Sequence, residues 1–284
     1  MAKDTVFSTK KTLNIKGSIL NISTPLVMGI LNTTPDSFFD GGKYSSEELI
    51  LQQVRKMLED GASIIDVGGY SSRPGANEVT TNEEINRTSK VIEVIINHFP
   101  DTIISIDTFR SAVAEAAIET GAKMVNDISA GSLDKDMFSL IGKTKTPYVM
   151  MHMRGTPQNM QHKTSYTNLM NEIMDYFIEK IKLLQNLDVT DIIIDPGFGF
   201  SKTKEQNFEI LEKLNYFKGL GLPLLAGVSR KSMIYNTLGN NAEQALNGTS
   251  VLNTIALMNG AQILRVHDVK EAMECIQLFN TTYS

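Results

Sequence analysis

Residues 103–127 read IISIDTFRSAVAEAAIETGAKMVND. An apolar run closes on Asp107, a stretch with helical spacing fills 110–120, Gly121 stands where a helix C-terminal glycine belongs, and a second apolar run closes on Asn126 and Asp127. The two runs begin 21 residues apart, which leaves room for one compact helix between them. That is a strand–helix–strand unit. Further apolar runs lie on both sides of it: LVMGILN (26–32), SIIDVGG (63–69), YVMMHM (148–153), IIID (192–195), LLAGVSRK (224–231) and ILRVH (263–267). Eight such units predict an α/β fold, a closed (β/α)8 TIM barrel, which works at the C-terminal ends of its strands. A doubly wound open sheet looks similar strand by strand. The count of eight, nearly all ending in chemically able residues, favours closure.

The elements between the strands fit this plan. TLNIKGSILNIS (12–23) reads as two short strands about Lys16-Gly17, a hairpin placed to plug the barrel floor. Ser45 with Glu48 and Thr81 with Glu84 fit capping boxes, and Gly61 suits a helix end. Segment 167–187 sets Leu169, Met170, Ile173, Met174, Phe177, Ile178, Ile181 and Leu184 on one helical face.

Composition narrows the function. The 284 residues match one barrel of about 250 residues, hence a single domain over 1–284. Net charge is −5, so no basic field recruits nucleic acid or an anionic membrane, and an anionic ligand needs a local cluster of cations. A single cysteine, Cys275, suits a reducing compartment and reads as a small core residue. The N-terminus lacks the apolar core of a signal peptide, and no apolar run approaches ~18 residues. A cytoplasmic location is expected.

The strand ends supply the candidate site: Asn32, Arg73 (just beyond the second strand), Asp107, Asn126, Asp195, Lys231, Arg265 and His267. GGYSSRPG (68–75) offers backbone N–H groups, Ser71, Ser72 and Arg73 to an anion, although a plain surface turn reads the same way. SRKS (229–232) lies where barrels often bind phosphate, but Ser229 also suits an N-cap and Arg230 a solvated position. Arg265 and His267 are two apart on a strand and share a face, a poor fit to core packing. Asp107, Asn126 and Asp195 follow runs that would bury them, so each needs a partner. Together they suit either a divalent metal or the N–H/NH2 edge of a flat heterocycle. Asp127 faces the other way and reads as structural, and Asp66, mid-strand, as a supporting residue. His98 and His162 read as solvated, and His152 as packed. The methionines of the fifth run fill the barrel, with Met151 placed to form an apolar wall beside a ring.

GILNTTPDSFFDGG (29–42), DVGGYSSRPGA (66–76), SIDTFR (105–110), VNDISA (125–130), DPGFGF (195–200), VSRKS (228–232) and RVHDV (265–269) together resemble the dihydropteroate synthase family, in that family's order and over nearly the whole chain. The resemblance implies condensation of 6-hydroxymethyl-7,8-dihydropterin diphosphate with 4-aminobenzoate, by SN1-like loss of the diphosphate. It assigns the pterin's amino-pyrimidinone edge to Asp195, further polar contacts to Asp107 and Asn126, and ring contacts to Lys231 and Arg265. It implies Mg2+ at Asn32 and the diphosphate at Ser72, Arg73, Arg265 and His267. Phe38, Pro74, Phe200 and Ser232 would line the aminobenzoate pocket, and Asp36 would order the first loop. A homodimer is implied as well. Where the family commonly reads glutamate, serine and threonine before the second-loop arginine, this chain has Tyr70-Ser71-Ser72, which keeps the hydroxyl and removes a carboxylate. A pterin-binding methyltransferase would have no diphosphate to hold, which argues against it. A silent pterin-binding relative would not need the cation set.

Overall fold

Lys16 and Gly17 both take positive φ, 49° and 92°, the backbone of a two-residue hairpin turn whose twist matches its strands. That turn joins β1 (Thr12–Ile15) to β2 (Ser18–Asn21) in an antiparallel pair. The computed structural model describes residues 9–33, 46–70 and 79–283. After the hairpin come β3 (Leu26–Asn32), α1 (Ser46–Glu59), β4 (Ile64–Gly68), α2 (Thr81–His98), β5 (Ile103–Asp107), α3 (Ser111–Thr120) and β6 (Met124–Asp127). They are followed by α4 (Met137–Thr144), β7 (Tyr148–Met151), α5 (Leu169–Gln185), β8 (Ile192–Asp195) and α6 (Lys204–Glu212). β9 (Leu225–Ala226), α7 (Ser232–Leu238), α8 (Leu246–Met258), β10 (Ile263–Val266) and α9 (Val269–Tyr283) complete the order.

The eight parallel strands run β8-β7-β6-β5-β4-β3-β10-β9. The ring is closed by a bridge from Ile194 to Leu224, with the Ile194 amide donating to Pro223 O at 2.9 Å. Strand alternation then sorts the side chains. Outward positions such as Val27, Ile65, Ile104, Val125 and Ile194 join the helices in the main apolar cluster. Inward positions at the N-terminal end form a second cluster: Met28, Ile64, Met124, Val149, Ile193, Leu225 and Ile263, capped from below by Leu13, Ile15 and Ile22 of the hairpin segment. The hairpin is the plug that the sequence predicts.

Two readings need adjustment. Thr80, not Thr81, caps α2, its hydroxyl accepting from the Glu83 amide. Thr80–Glu83 and Thr81–Glu84 fit the capping pattern equally, and Glu84 is instead buried, taking Thr108 Oγ1 at 2.7 Å and Arg110 at 2.6 Å. The run 224–231 contributes only two residues to the sheet; beyond Ala226 the chain turns, Arg230 reaching φ 53°. The predicted cap at Ser45 lies outside the described residues. Gly121 does end α3, at φ 129°, and a Cβ there would stand 2.2 Å from Ile96 Cδ1.

Candidate active site

Two residues above the apolar floor, the same inward faces turn polar. Asp66 on β4 is fully buried, and its Oδ2 accepts from Arg265 Nε on β10 at 2.7 Å and from Asn126 Nδ2 on β6 at 2.9 Å. Its Oδ1 has no hydrogen-bond partner among the described residues. Arg265 NH2 also donates to Asp107 Oδ2 at 2.6 Å, so one guanidinium bridges two carboxylates on adjacent strands. Burial opposes the charge on Arg265, yet Asp66 and Asp107 outweigh it and hold the guanidinium firmly ionised. Burial pushes the Asp107 carboxyl up to about 7 against the pull of Arg265, with Asp66 adding repulsion. Asp66 is therefore the anchor that aims both Asn126 and Arg265, a larger part than a mid-strand supporting residue. Asp127, next to Asn126, faces the helices: Tyr148, the Ser129 amide and hydroxyl, and the Gly131 amide all donate to its carboxylate.

Across the barrel, Asp195, Lys231 and Arg265 converge on Gly227. A Cβ at that glycine would lie 3.8 Å from Lys231 Nζ and 3.9 Å from both Asp195 Oδ2 and Arg265 Cβ. Burial raises the Asp195 carboxyl, and Lys231 pulls it back down. Burial lowers Lys231 to about 8, with Asp195 opposing the change. Asp195 Oδ1 accepts from the Gly197 amide at 2.8 Å, so its other oxygen faces the barrel mouth. Gly197 must be glycine: its φ is 73°, and a Cβ would meet His152 O at 2.2 Å. Lys231 Nζ donates to Phe198 O and sits 5.0 Å from the centre of the Phe200 ring.

The remaining predictions divide. Met151 is buried with Ile128, Met153 and Met160, and Phe109 and Phe200 pack on them, an apolar wall beside the polar row. His267 lies past the end of β10, its Nδ1 3.0 Å from Ser229 Oγ. Ser229 therefore orients the histidine instead of capping a helix; Lys231 holds the cap position of α7 and Ser232 begins it, exposed. Arg230 is partly exposed and its partners lie outside the polar row: it forms a two-pronged ion pair with Asp268 at 2.7 and 2.8 Å. Asp36, Phe38, Ser72, Arg73 and Pro74 lie outside the described residues.

A metal has one candidate donor here. Among the described residues no group of three or more His, Cys, Asp or Glu side chains could hold an ion. Asn32 is exposed at the end of β3, and its Oδ1 and Asp107 Oδ2 lie 3.8 and 3.6 Å from the Cβ position of Gly68. One amide oxygen fits Mg2+, which dehydrates reluctantly and completes its shell with water and substrate phosphates. The donor set fits the ion only in company with such a substrate.

Tyr70, the departure from the family pattern, is locked in place. Its ring meets Phe109 edge-on at 5.3 Å, Arg110 lies 5.3 Å from its centre, and its hydroxyl accepts from Gln158 Nε2 at 3.0 Å. Two contacts are not visible in the sequence. Ser229, read there as a possible N-cap, stands 3.0 Å from His267 Nδ1. Lys202, buried after the glycine-rich turn that follows β8, looks like an ordinary loop lysine.

With this geometry in place, the chain's relatives are informative. Residues 28–267 match the family described as pterin binding enzyme. A dihydropteroate synthase of Synechocystis is 45% identical over 250 residues, 87% of this chain and 86% of that protein. A crystal structure of the Yersinia pestis dihydropteroate synthase in a sulfonamide drug complex superposes with TM-score 0.89 at 40% identity, covering 96% of this chain and 99% of the other. The Xanthomonas albilineans dihydropteroate synthase with 4-aminobenzoic acid gives TM-score 0.90 at 34% identity, over 97% and 99%. The chain belongs to the pterin-binding enzymes and, within them, to the dihydropteroate synthases.

Proposed function

We infer that the protein condenses 6-hydroxymethyl-7,8-dihydropterin diphosphate with 4-aminobenzoate, giving 7,8-dihydropteroate and pyrophosphate. The observation that carries this reading is the inward polar row at the barrel mouth: Asp66, Asp107, Asn126, Asp195, Lys231 and Arg265, joined by the contacts given above. Its carboxylates match the paired N–H donors of an amino-pyrimidinone, and its cations match a ring carbonyl and a departing anion.

The contacts among the described residues and the family resemblance support the following roles. Asp195, with one oxygen held by Gly197, presents the other to the pterin's N–H/NH2 edge. Asn126, fixed through Asp66, and Asp107 add polar contacts, while Lys231 donates to the ring carbonyl and Arg265 covers the ring face. Met151 and Phe200 border the ring and the aminobenzoate, and Ser232 stands at the start of α7 near that pocket. By the family resemblance, Arg73 and Ser72 would hold the diphosphate together with His267, Phe38 and Pro74 would serve the aminobenzoate, and Asp36 would order the first loop. The bond from the exocyclic methylene to oxygen breaks heterolytically, and its electron pair leaves with the diphosphate. Positive character on the methylene spreads into the electron-rich pterin beside Asp107 and Asp195. The arylamine lone pair then forms the C–N bond, and its proton is lost to solvent. A nucleophile facing such a cation needs no strong general base. Mg2+ bound at Asn32 and the diphosphate would neutralise charge growing on the leaving group.

We read residues 1–284 as one domain and the enzyme as a cytoplasmic homodimer. Support for the dimer comes from large apolar side chains exposed on the C-terminal helices: Val251 and Met258 on α8, Leu278 and Tyr283 on α9. Among the described residues no helix is long and apolar enough to cross a membrane.

The deciding assay follows pyrophosphate release from the pterin diphosphate with Mg2+, with and without 4-aminobenzoate. Aminobenzoate-dependent formation of 7,8-dihydropteroate is expected. Its absence would overturn the reading.

A further inference from the structure

Lys202 is a buried lysine that the reaction does not use. Only 4% of it is exposed. Its Nζ makes four contacts: Phe200 O at 2.9 Å, Gly197 O at 3.0 Å, His152 Nδ1 at 3.0 Å and His152 O at 3.3 Å. No carboxylate among the described residues lies within ion-pair distance of it. Burying an ammonium without a counter-charge costs several kcal/mol unless its hydrogens are all engaged. Burial, with Lys231 and Arg154 nearby, drives the ammonium well below its usual range, against an upward pull from Asp195. A methionine would fill the same space at less cost, so the amine has a task that an apolar chain cannot perform.

The task is visible in what it grips. The segment after β8 is a succession of turns, with positive φ at Gly197 (73°), Gly199 (81°) and Ser201 (54°). Within these turns the Phe200 amide donates to Gly197 O at 3.1 Å, and the other buried carbonyls need donors from elsewhere. Lys202 takes the carbonyls of residues 197 and 200, while Lys231 takes that of Phe198 from the site. The same segment begins at Asp195 and carries the Phe200 ring beneath Lys231. His152, at the end of β7, ties this grip to the neighbouring strand. With Nζ charged, and so without a lone pair, Nδ1 is the acceptor and the ring proton sits on Nε2. Burial lowers the imidazole well below its usual range, which keeps it neutral and able to accept.

We propose that Lys202 is a positioning residue for the second substrate: by holding the carbonyls of Gly197 and Phe200 it sets the Phe200 wall against which 4-aminobenzoate binds. The proposal rests on the dihydropteroate synthase reading and on Phe200 lining that pocket. Lys202 touches neither substrate. It acts on the ring through the backbone, whereas the pterin edge is read by Asp195, whose Oδ1 is held by the Gly197 amide and not by Lys202 itself.

The test is steady-state kinetics of Lys202→Met beside the wild type. KM for 4-aminobenzoate should rise about tenfold or more, while KM for the pterin diphosphate moves less than about threefold, as expected for a group acting on one pocket. In a cycle with Phe200→Leu, the Lys202→Met effect on KM for 4-aminobenzoate should shrink to less than half in the Phe200→Leu background. Equal changes in both KM values, or the full Lys202→Met effect in the absence of the phenyl ring, would overturn the proposal. If Lys202→Met does not fold, His152→Asn, which loosens one of the four contacts, should move KM for 4-aminobenzoate alone by about threefold; no change there would equally overturn it. A wild type without aminobenzoate-dependent turnover would instead refute the underlying reading.

Discussion

The barrel's floor and mouth are built from the same strands, two residues apart. Ile64, Met124, Ile193 and Ile263 point inward at the bottom; Asp66, Asn126, Asp195 and Arg265 point inward one pleat above them. Alternation puts residues i and i+2 on one face, so nothing about strand geometry distinguishes the layers. What differs is their cover. Leu13, Ile15 and Ile22 seal the floor against water, and the floor responds with hydrocarbon. The mouth faces the loops, where buried polar groups repay their desolvation by pairing with one another and with a substrate. The floor supplies rigidity, and the mouth is mostly polar, with Ile30 and Met151 as its apolar members.

The sharpest way to break this contrast is at Asp66, the buried anchor of the polar layer. Asp66→Ala leaves Arg265 with one carboxylate and Asn126 with none, so a stability loss of about 3–5 kcal/mol is expected from disrupting a buried ion pair. Chemical denaturation would read it, and a loss below about 1 kcal/mol would show that Asp107 alone suffices. One pleat below a different mouth residue, Ile193→Ala removes floor packing and should cost about 2–5 kcal/mol while leaving the affinity for the pterin diphosphate within about threefold. A large loss of affinity there would mean that floor and mouth do not act separately.

A smaller effect separates them by pH. Lys231 titrates at about 8 in the folded protein against 10.5 as an ordinary lysine. Between those values the unfolded chain holds more protons on this residue, so its contribution makes stability rise with pH. Pterin affinity should move the other way, falling as pH climbs through about 8 and the ring carbonyl loses a charged donor. Calorimetric titrations at pH 7 and 9 would check the sign, and Lys231→Arg, which stays charged, should flatten the affinity profile. Affinity that is independent of pH in the wild type would remove Lys231 from the pterin contact.

Much of this was legible in the residues. The runs at 26–32, 103–107, 124–127 and 192–195 match β3, β5, β6 and β8 residue for residue, because strands covered on both faces are continuously apolar. β9 was overread, since Gly227 and Val228 continue the apolar run while the backbone already turns toward Lys231. Asp127 was separable from Asn126 by alternation alone. Asp66 was underrated because it lies inside its run, and a site was sought at strand ends. Arg230 and Lys202 mark the deeper limit: charge in a loop reads as solvated, and only the fold shows that one is paired with Asp268 and the other buried under four acceptors.

The central claim is that the polar layer at the mouth reads the pterin, with Asp195 as its principal contact. Titrating 6-hydroxymethyl-7,8-dihydropterin diphosphate into Asp195→Ala, beside wild type and Ile193→Ala, tests it most directly. Removing a charge-assisted contact and leaving two N–H donors unpaired should weaken binding at least about a hundredfold. Near-normal affinity in Asp195→Ala, with the variant folded, would contradict the account.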